Sequence, residues 1–167
     1  MEKIVIKVGL SISLCFYLMI LTWMVLFKYL TIPEIISHFT FSYDGPYWNI
    51  HNFVPFKTII YYLFLANEIN TNIRVENLAG NIIGFIPFGV ILPLLSRKFM
   101  SLKKVMLATF CLSFMFECMQ LIFRFGSFDV DDLMLNTLGG IVGYLFVKVV
   151  VNSVETRRNT TEQYRES

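Results

Sequence analysis

The stretch FECMQLIFRFGSFDVDDLMLNTLGG, residues 116–140, decides how this chain folds. It lies between two apolar runs, yet it carries seven ionisable or amide side chains: Glu117, Gln120, Arg124, Asp129, Asp131, Asp132 and Asn136. If the flanking runs cross a bilayer, several of these groups lie in or beside hydrocarbon, where each needs a partner.

The composition predicts a small integral membrane protein. Hydrophobic residues make up 56% of the chain and charged residues 16%, against about 45–50% and about 25% in soluble domains. The net charge of +2 is too small to indicate a nucleic-acid partner.

The apolar runs contain three cysteines, which are expected to be small buried residues: Cys15, Cys111 and Cys118. His38 and His51 have no second ligand at metal spacing, so we predict no metal site and no cofactor.

Four apolar runs are long enough to cross a hydrocarbon core, which takes about 20 helical residues: residues 8–27, 77–95, 105–123 and 133–151. The first run could be a cleaved signal peptide. It exceeds the usual apolar region of about 7–15 residues and no A-x-A-like site follows it, so an uncleaved anchor is favoured. We predict an all-α integral membrane protein with four transmembrane helices, a single domain over residues 1–151 and a polar, frayed tail over residues 152–167.

The distribution of Lys and Arg predicts the orientation in the cell membrane. With four spans, one side would carry both termini and nine basic residues: Lys3, Lys7, Arg97, Lys98, Lys103, Lys104, Arg157, Arg158 and Arg165. The other side would carry four: Lys28, Lys57, Arg74 and Arg124. Both termini and the tail are therefore expected in the cytoplasm.

The first outward loop is long and is expected to be partly membrane-associated. Within it, residues 59–66 form an apolar stretch that is too short to span. The segment of residues 49–66 could be a re-entrant or interfacial segment, or a lid that packs over the bundle, and the sequence leaves both possibilities open.

Polar residues form one stripe on each of three spans. Glu117, Gln120 and Arg124 follow i, i+3, i+7 spacing, which is one face of a helix. Similar spacing relates Asp129, Asp132 and Asn136, and also Asn77, Asn81 and Gly84. Since buried polar groups should face inward and pair, we predict an outward-opening pocket lined by eight residues: Asn77, Asn81, Glu117, Gln120, Arg124, Asp129, Asp132 and Asn136.

Alternatives remain for this cluster. Arg124 with Asp129 or Asp132 could be a structural ion pair that clamps a short loop. Asp131 lies on the face opposite Asp132 and is expected to be a solvated loop residue.

Two GxxxG patterns predict close helix packing. Gly80 and Gly84 lie in the second span, and Gly139 and Gly143 lie in the fourth, on the face of Asp132.

An ordered set of motifs runs along most of the chain. It comprises WxVLFK at residues 23–28, NFVPF at 52–56, NxxGNIIGFIPFGxxLP at 77–93, FExxQ at 116–120 and RxGxxDxxDxxxNTxGGxxGY at 124–144. This set resembles the VanZ-like family of bacterial membrane proteins. The namesake of the family is associated with low-level resistance to the glycopeptide teicoplanin, so the resemblance implies protection against antibiotics that act at the cell surface.

The outward pocket suggests how such protection could work. The leading hypothesis is binding of a membrane lipid, of a lipid-linked cell-wall precursor or of the antibiotic itself, with Arg124 holding a phosphate or carboxylate. The alternative is an intramembrane enzyme that uses Glu117 and Asp132 as an acid/base pair. Such an enzyme could also bind a divalent cation through these two residues and Asp129. A transporter is disfavoured because the polar residues are confined to one leaflet. Whether the protein is an enzyme, and its oligomeric state, stay open.

Overall fold

The structure, a computed structural model, describes residues 1–28, 30–41, 50–65 and 70–166, without the side chains of residues 2, 3, 159, 162 and 164–166. Six α-helices occur in these ranges: α1 Glu2–Thr22, α2 Ile32–Phe39, α3 Lys57–Ile60, α4 Thr71–Leu95, α5 Leu102–Phe123 and α6 Val130–Glu166. Helix α1 continues as a π-helical turn over Trp23–Phe27, and α3 continues as another over Tyr61–Leu65.

Four of the helices in the described residues are long and apolar enough to cross a membrane, which confirms the predicted all-α membrane fold. The spans are Ile4–Phe27, Thr71–Leu95, Leu102–Phe123 and Val130–Arg158. Helix α4 starts earlier than the apolar run that predicted it, because the Asn70 side chain caps it by accepting from Asn72 N at 3.0 Å. The same helix passes through Pro87 and Pro93 without ending, as membrane helices tolerate.

Helix α6 packs mainly against α4 and α5. A Cβ atom on Gly139 would overlap the carbonyl oxygen of Ile82, and one on Gly143 would overlap that of Ile86. These two glycines therefore bring α6 into direct contact with the backbone of α4, as the second GxxxG pattern predicts.

The first GxxxG pattern does not pack a helix pair in this way. A Cβ on Gly80 would meet nothing within 4 Å, and one on Gly84 would make only ordinary contact with Leu21 Cδ1, at 3.8 Å. The expectation of close packing there was wrong. Gly80 thus leaves open space beside α4, whereas Gly84 contacts α1 through Leu21 and accepts from Tyr17 Oη at its carbonyl oxygen.

The spans meet at one end of the bundle, where α1 and α5 end and α4 and α6 begin; we call it the loop end. A cluster of buried apolar side chains lies beneath it: Leu21, Leu26, Phe85, Phe116 and Phe125. The rings of Phe85 and Phe116 pack edge to face with centroids 6.4 Å apart, which forms a rigid floor below the polar residues.

Residues 152–166 are helical, so the prediction of a frayed tail was wrong. Helix α6 continues to Glu166, since no Gly or Pro interrupts it after the fourth span.

The cysteines also differ from expectation. Cys15 and Cys111 are exposed and Cys118 is half-buried, so they lie on outer helix faces that contact lipid in a membrane.

The segment that could be re-entrant or a lid is described for residues 50–65, and residues 49 and 66 lie outside the described ranges. It packs across the starts of α4 and α6. Arg74 Nε donates to Tyr62 O at 2.7 Å, and Asp131 accepts from the backbone of α3. This packing favours a lid, and we call residues 50–65 the lid.

Candidate functional site

A cavity of about 260 Å³ opens between α1, α4, α5 and α6 at the loop end; we call it the main cavity. Its polar and small lining residues are Lys28, Glu76, Asn77, Gly80, Asn81, Gly84, Glu117, Gln120, Asp132 and Asn136. Leu21, Met24, Val25 and Phe85 supply the apolar wall. Lys28 and Glu76 form a salt bridge between the end of α1 and the first turns of α4.

The amide nitrogens of the main cavity are engaged with protein oxygens. Asn81 Nδ2 donates to Asp132 Oδ1 at 2.6 Å, and Asn136 Nδ2 donates to Ser113 Oγ at 2.8 Å. Gln120 Nε2 donates to Val25 O at 3.1 Å, and Asn77 Nδ2 donates to Ile73 O at 2.7 Å. These bonds fix the side chains across three helices and define the walls of the cavity.

Glu117 is the most deeply buried carboxyl of the main cavity, at 2% exposed. Its Oε2 accepts from Asp129 N at 2.8 Å, which ties α5 to the start of α6. Asn136, 3% exposed, lies one helical turn after Asp132 on α6. Its Oδ1 has no hydrogen-bond partner among the described residues, which is costly for a buried acceptor.

A second cavity of about 280 Å³ adjoins the first; we call it the side cavity. It shares Asn77 and Asp132 with the main cavity and is otherwise lined by residues of the lid and of the loop that precedes α6: Ile50, His51, Asn52, Lys57, Thr58, Tyr61, Tyr62, Ser127 and Asp129. Asp129, predicted for the pocket, therefore lies in the side cavity.

Asn52 and Thr58 attach the lid to Asp129. Asn52 Nδ2 donates to Asp129 Oδ1 at 2.8 Å, and Thr58 Oγ1 donates to Asp129 Oδ2 at 2.5 Å. The backbones of Asn52 and Asp129 also form an isolated parallel β-bridge, in which Val130 N donates to Asn52 O at 3.0 Å. Asp129 therefore serves as an anchor for the lid.

Asp131 is not a solvated loop residue, and that prediction was wrong. It is 0% exposed. Its Oδ1 accepts from Phe56 N at 2.5 Å, and its Oδ2 accepts from Thr58 N at 2.7 Å and Ile59 N at 3.1 Å. The carboxylate thus caps the first turn of α3, where backbone N–H groups have no partner within the helix. It also holds Phe56 in the left-handed conformation, with φ of 66°.

Arg124 lies apart from the other predicted residues. It follows the last residue of α5 in the left-handed conformation, with φ of 56°. Arg124 is not one of the described residues that line the main cavity or the side cavity. The left-handed turn directs the chain away from the helix path that the i, i+7 spacing assumed.

The described residues contain no group of three or more acidic, His or Cys side chains arranged to hold a metal ion. Glu117 and Asp129, considered for a cation, accept instead from N–H and O–H groups of the protein.

His51 Nδ1 accepts from Phe128 N at 2.9 Å. Burial lowers the pKa of His51 below its ordinary value, which suits a neutral ring that accepts a hydrogen bond.

The VanZ/LLP1 family model matches residues 14–151, which include the second and third spans, most of the first and fourth spans, and both cavities. The chain belongs to the VanZ/LLP1 family. Protein VanZ of Enterococcus faecium is 32% identical to it over 130 residues, which cover 78% of this chain and 68% of that protein. No solved structure matches the chain. The resemblance found in the sequence motifs is thereby confirmed, and this VanZ/LLP1 chain is a membrane protein with four spanning helices.

The sequence pattern predicted most of the polar residues that line the main cavity of this VanZ/LLP1 protein. Six of the eight predicted residues line the main cavity: Asn77, Asn81, Glu117, Gln120, Asp132 and Asn136. The pattern missed Lys28, Glu76, His51, Asn52 and Thr58. The NFVPF motif in the first loop was the available signal for Asn52, because it formed part of the resemblance to the family.

Proposed function

We propose that this protein contributes to resistance to teicoplanin-type glycopeptides, or to other antibiotics that act at the cell surface, by binding a lipid or lipid-linked headgroup in the main cavity. The observation that carries the proposal is the convergence of six polar residues from α4, α5 and α6 in a cavity at one end of the spans. Such groups are costly in a membrane without a purpose, and a bound headgroup would provide one.

The proposed orientation places the loop end outside the cell. The excess of Lys and Arg near the opposite end supports this orientation, with both termini cytoplasmic. A headgroup in the outer leaflet would then lie at the depth of the main cavity. Occupation of the cavity would reduce access of the drug to wall precursors anchored in the same leaflet.

Replacing Gly80 with Leu tests whether the main cavity is needed. The new side chain would enter open space in the cavity wall and occupy room that a headgroup needs. We expect cells that produce Gly80→Leu at wild-type abundance to lose the protection, with the minimal inhibitory concentration of teicoplanin falling to that of cells without the protein.

Gly9→Leu is the matched control, because a Cβ on Gly9 also meets nothing within 4 Å and Gly9 lies in α1 away from the cavity. It is expected to leave the protection unchanged. Full protection by Gly80→Leu, at the same abundance as Gly9→Leu, would remove the main cavity from the mechanism.

A second candidate function is chemical modification of a lipid headgroup, and the placement of Glu117 and Asp132 in the same cavity favours it. Binding alone predicts the same inventory of lipids and wall precursors in cells with wild-type protein and with Glu117→Gln. Catalysis predicts a product that disappears in Glu117→Gln but persists in Glu155→Gln, a matched change at an exposed position of α6. Mass spectrometry of total lipids measures the difference.

A further inference from the structure

We infer that the ligand of the main cavity presents a protonated amine, which donates to Glu117, Asp132 and Asn136. This inference rests on the proposed function, since it names the class of ligand that the same cavity would hold. It follows from the hydrogen-bond partners, the charges and the size of the cavity.

The described part of the protein leaves the Oδ1 acceptor of Asn136 unused in the main cavity. Asn81, Asn136, Gln120 and Asn77 each direct the amide nitrogen to a protein oxygen. No described residue donates to Asn136 Oδ1, although the atom is buried. A ligand that donates hydrogen bonds would satisfy this oxygen, whereas a phosphate or carboxylate ligand could not.

The carboxyl groups of Glu117 and Asp132 also lack cationic partners among the described residues. Each carboxyl accepts a hydrogen bond from a neutral group: Glu117 Oε2 accepts from Asp129 N at 2.8 Å, and Asp132 Oδ1 accepts from Asn81 Nδ2 at 2.6 Å. Within the described part of the chain, neither residue forms a salt bridge. Lys28, the basic residue that lines the cavity, is paired with Glu76. Since a buried carboxylate is stable only when it is compensated, an ammonium group between Glu117 and Asp132 would stabilise both.

The size of the cavity restricts the occupant. Pockets for drug-sized molecules measure about 300–1,000 Å³, and the main cavity measures about 260 Å³. It can admit an amine-bearing lipid headgroup or one projecting amine of a larger molecule, but not a whole glycopeptide. The two sources share the same chemistry, and the experiment separates them.

The test compares amines with their neutral derivatives on the purified full chain in detergent micelles. One pair of probes is dihexanoyl phosphatidylethanolamine and its N-acetyl derivative, and the other is an amine-bearing glycopeptide and its N-acetyl derivative. We expect N-acetylation to weaken binding at least tenfold in one pair, which identifies the source of the amine. Isothermal titration calorimetry measures the affinities.

Two variants that preserve the shape of the side chain test whether the preference for amine over N-acetyl probes arises in the main cavity. Glu117→Gln and Asp132→Asn keep an oxygen that can accept the existing bonds but remove the charge, and each is expected to reduce the preference for the amine to less than threefold. Glu155→Gln should keep the full preference. A preference for the N-acetylated probes that disappears in Arg124→Ala would overturn the inference in favour of an anion site.

The outcomes separate this inference from the proposed function. Equal affinities for amine and N-acetyl probes, together with loss of protection in Gly80→Leu cells, would overturn the amine and leave the proposed function standing. A clear amine preference in the wild type, together with full protection in Gly80→Leu cells, would retain the amine site and overturn its role in resistance.

Discussion

Replacing Asp131 with Ala is expected to detach the lid from α6 and to lower the free energy of unfolding by about 3 kcal/mol or more. The Asp131 carboxylate accepts three backbone hydrogen bonds, from Phe56, Thr58 and Ile59. Hydrogen bonds to a charged group contribute about 1.5–3 kcal/mol each, although they do not add fully. Ala would also leave the first turn of α3 without its cap and Phe56 without support for its left-handed conformation.

Trypsin cleavage after Lys57 measures the detachment, because Lys57 is an exposed residue within α3. A loss of about 3 kcal/mol of local stability raises the population of the open lid on the order of a hundredfold. The cleavage rate at Lys57 in detergent micelles should therefore rise steeply in Asp131→Ala.

Glu155→Ala provides the matched control, since it removes an exposed carboxylate from the same helix. Its effect on unfolding is expected to stay below about 0.5 kcal/mol, as for most surface substitutions. If Lys57 is cleaved at the same rate in Asp131→Ala as in this control, Asp131 does not hold the lid.

Gly139→Ala is expected to destabilise the bundle by about 2–3 kcal/mol. The added methyl group would overlap the carbonyl oxygen of Ile82 on α4, so the two helices must move apart along their main contact. Overpacking in a tight core costs about 1–3 kcal/mol, and backbone atoms cannot rotate away as a side chain can. The measurement is the unfolding equilibrium in mixed micelles of mild detergent and SDS.

Gly80→Ala is the matched control for this change, because the methyl group meets open space there. Helix propensity favours Ala over Gly by about 1 kcal/mol, so this variant should be as stable as the wild type or more stable. Equal effects of the two substitutions would mean that α6 does not contact the backbone of α4 at Gly139.

Hydropathy and spacing predicted the spans and most of the main cavity for a physical reason. A membrane helix must be apolar over its length, so its polar residues stand out, and their spacing assigns them to one face. Glu117, Asp132 and Asn136 met in the structure because each lies inside a regular helix, where spacing determines direction.

Residue spacing did not predict the direction of side chains where the helices end. Arg124 follows the last residue of α5 and turns left-handed, so the helical face no longer gives its direction. Asp131 lies in the first turn of α6, where its partners come from the lid, more than 70 residues earlier in the chain. No local pattern encodes a pairing across that separation. The choice between the two GxxxG patterns also depended on which helix stood opposite each glycine.

Helix α6 connects the two ends of the molecule without interruption. Its 37 residues extend about 55 Å at about 1.5 Å per residue, which exceeds the hydrocarbon thickness of about 30 Å. Asp129 and Asp132 stand at its beginning, and Arg157 and Arg158 lie near its far end. If the helix pivots as a rigid rod about its first turn, each degree of tilt moves its last residue by about 1 Å. A small rearrangement around the carboxylates would thus reach the opposite face of the membrane as a mechanical displacement.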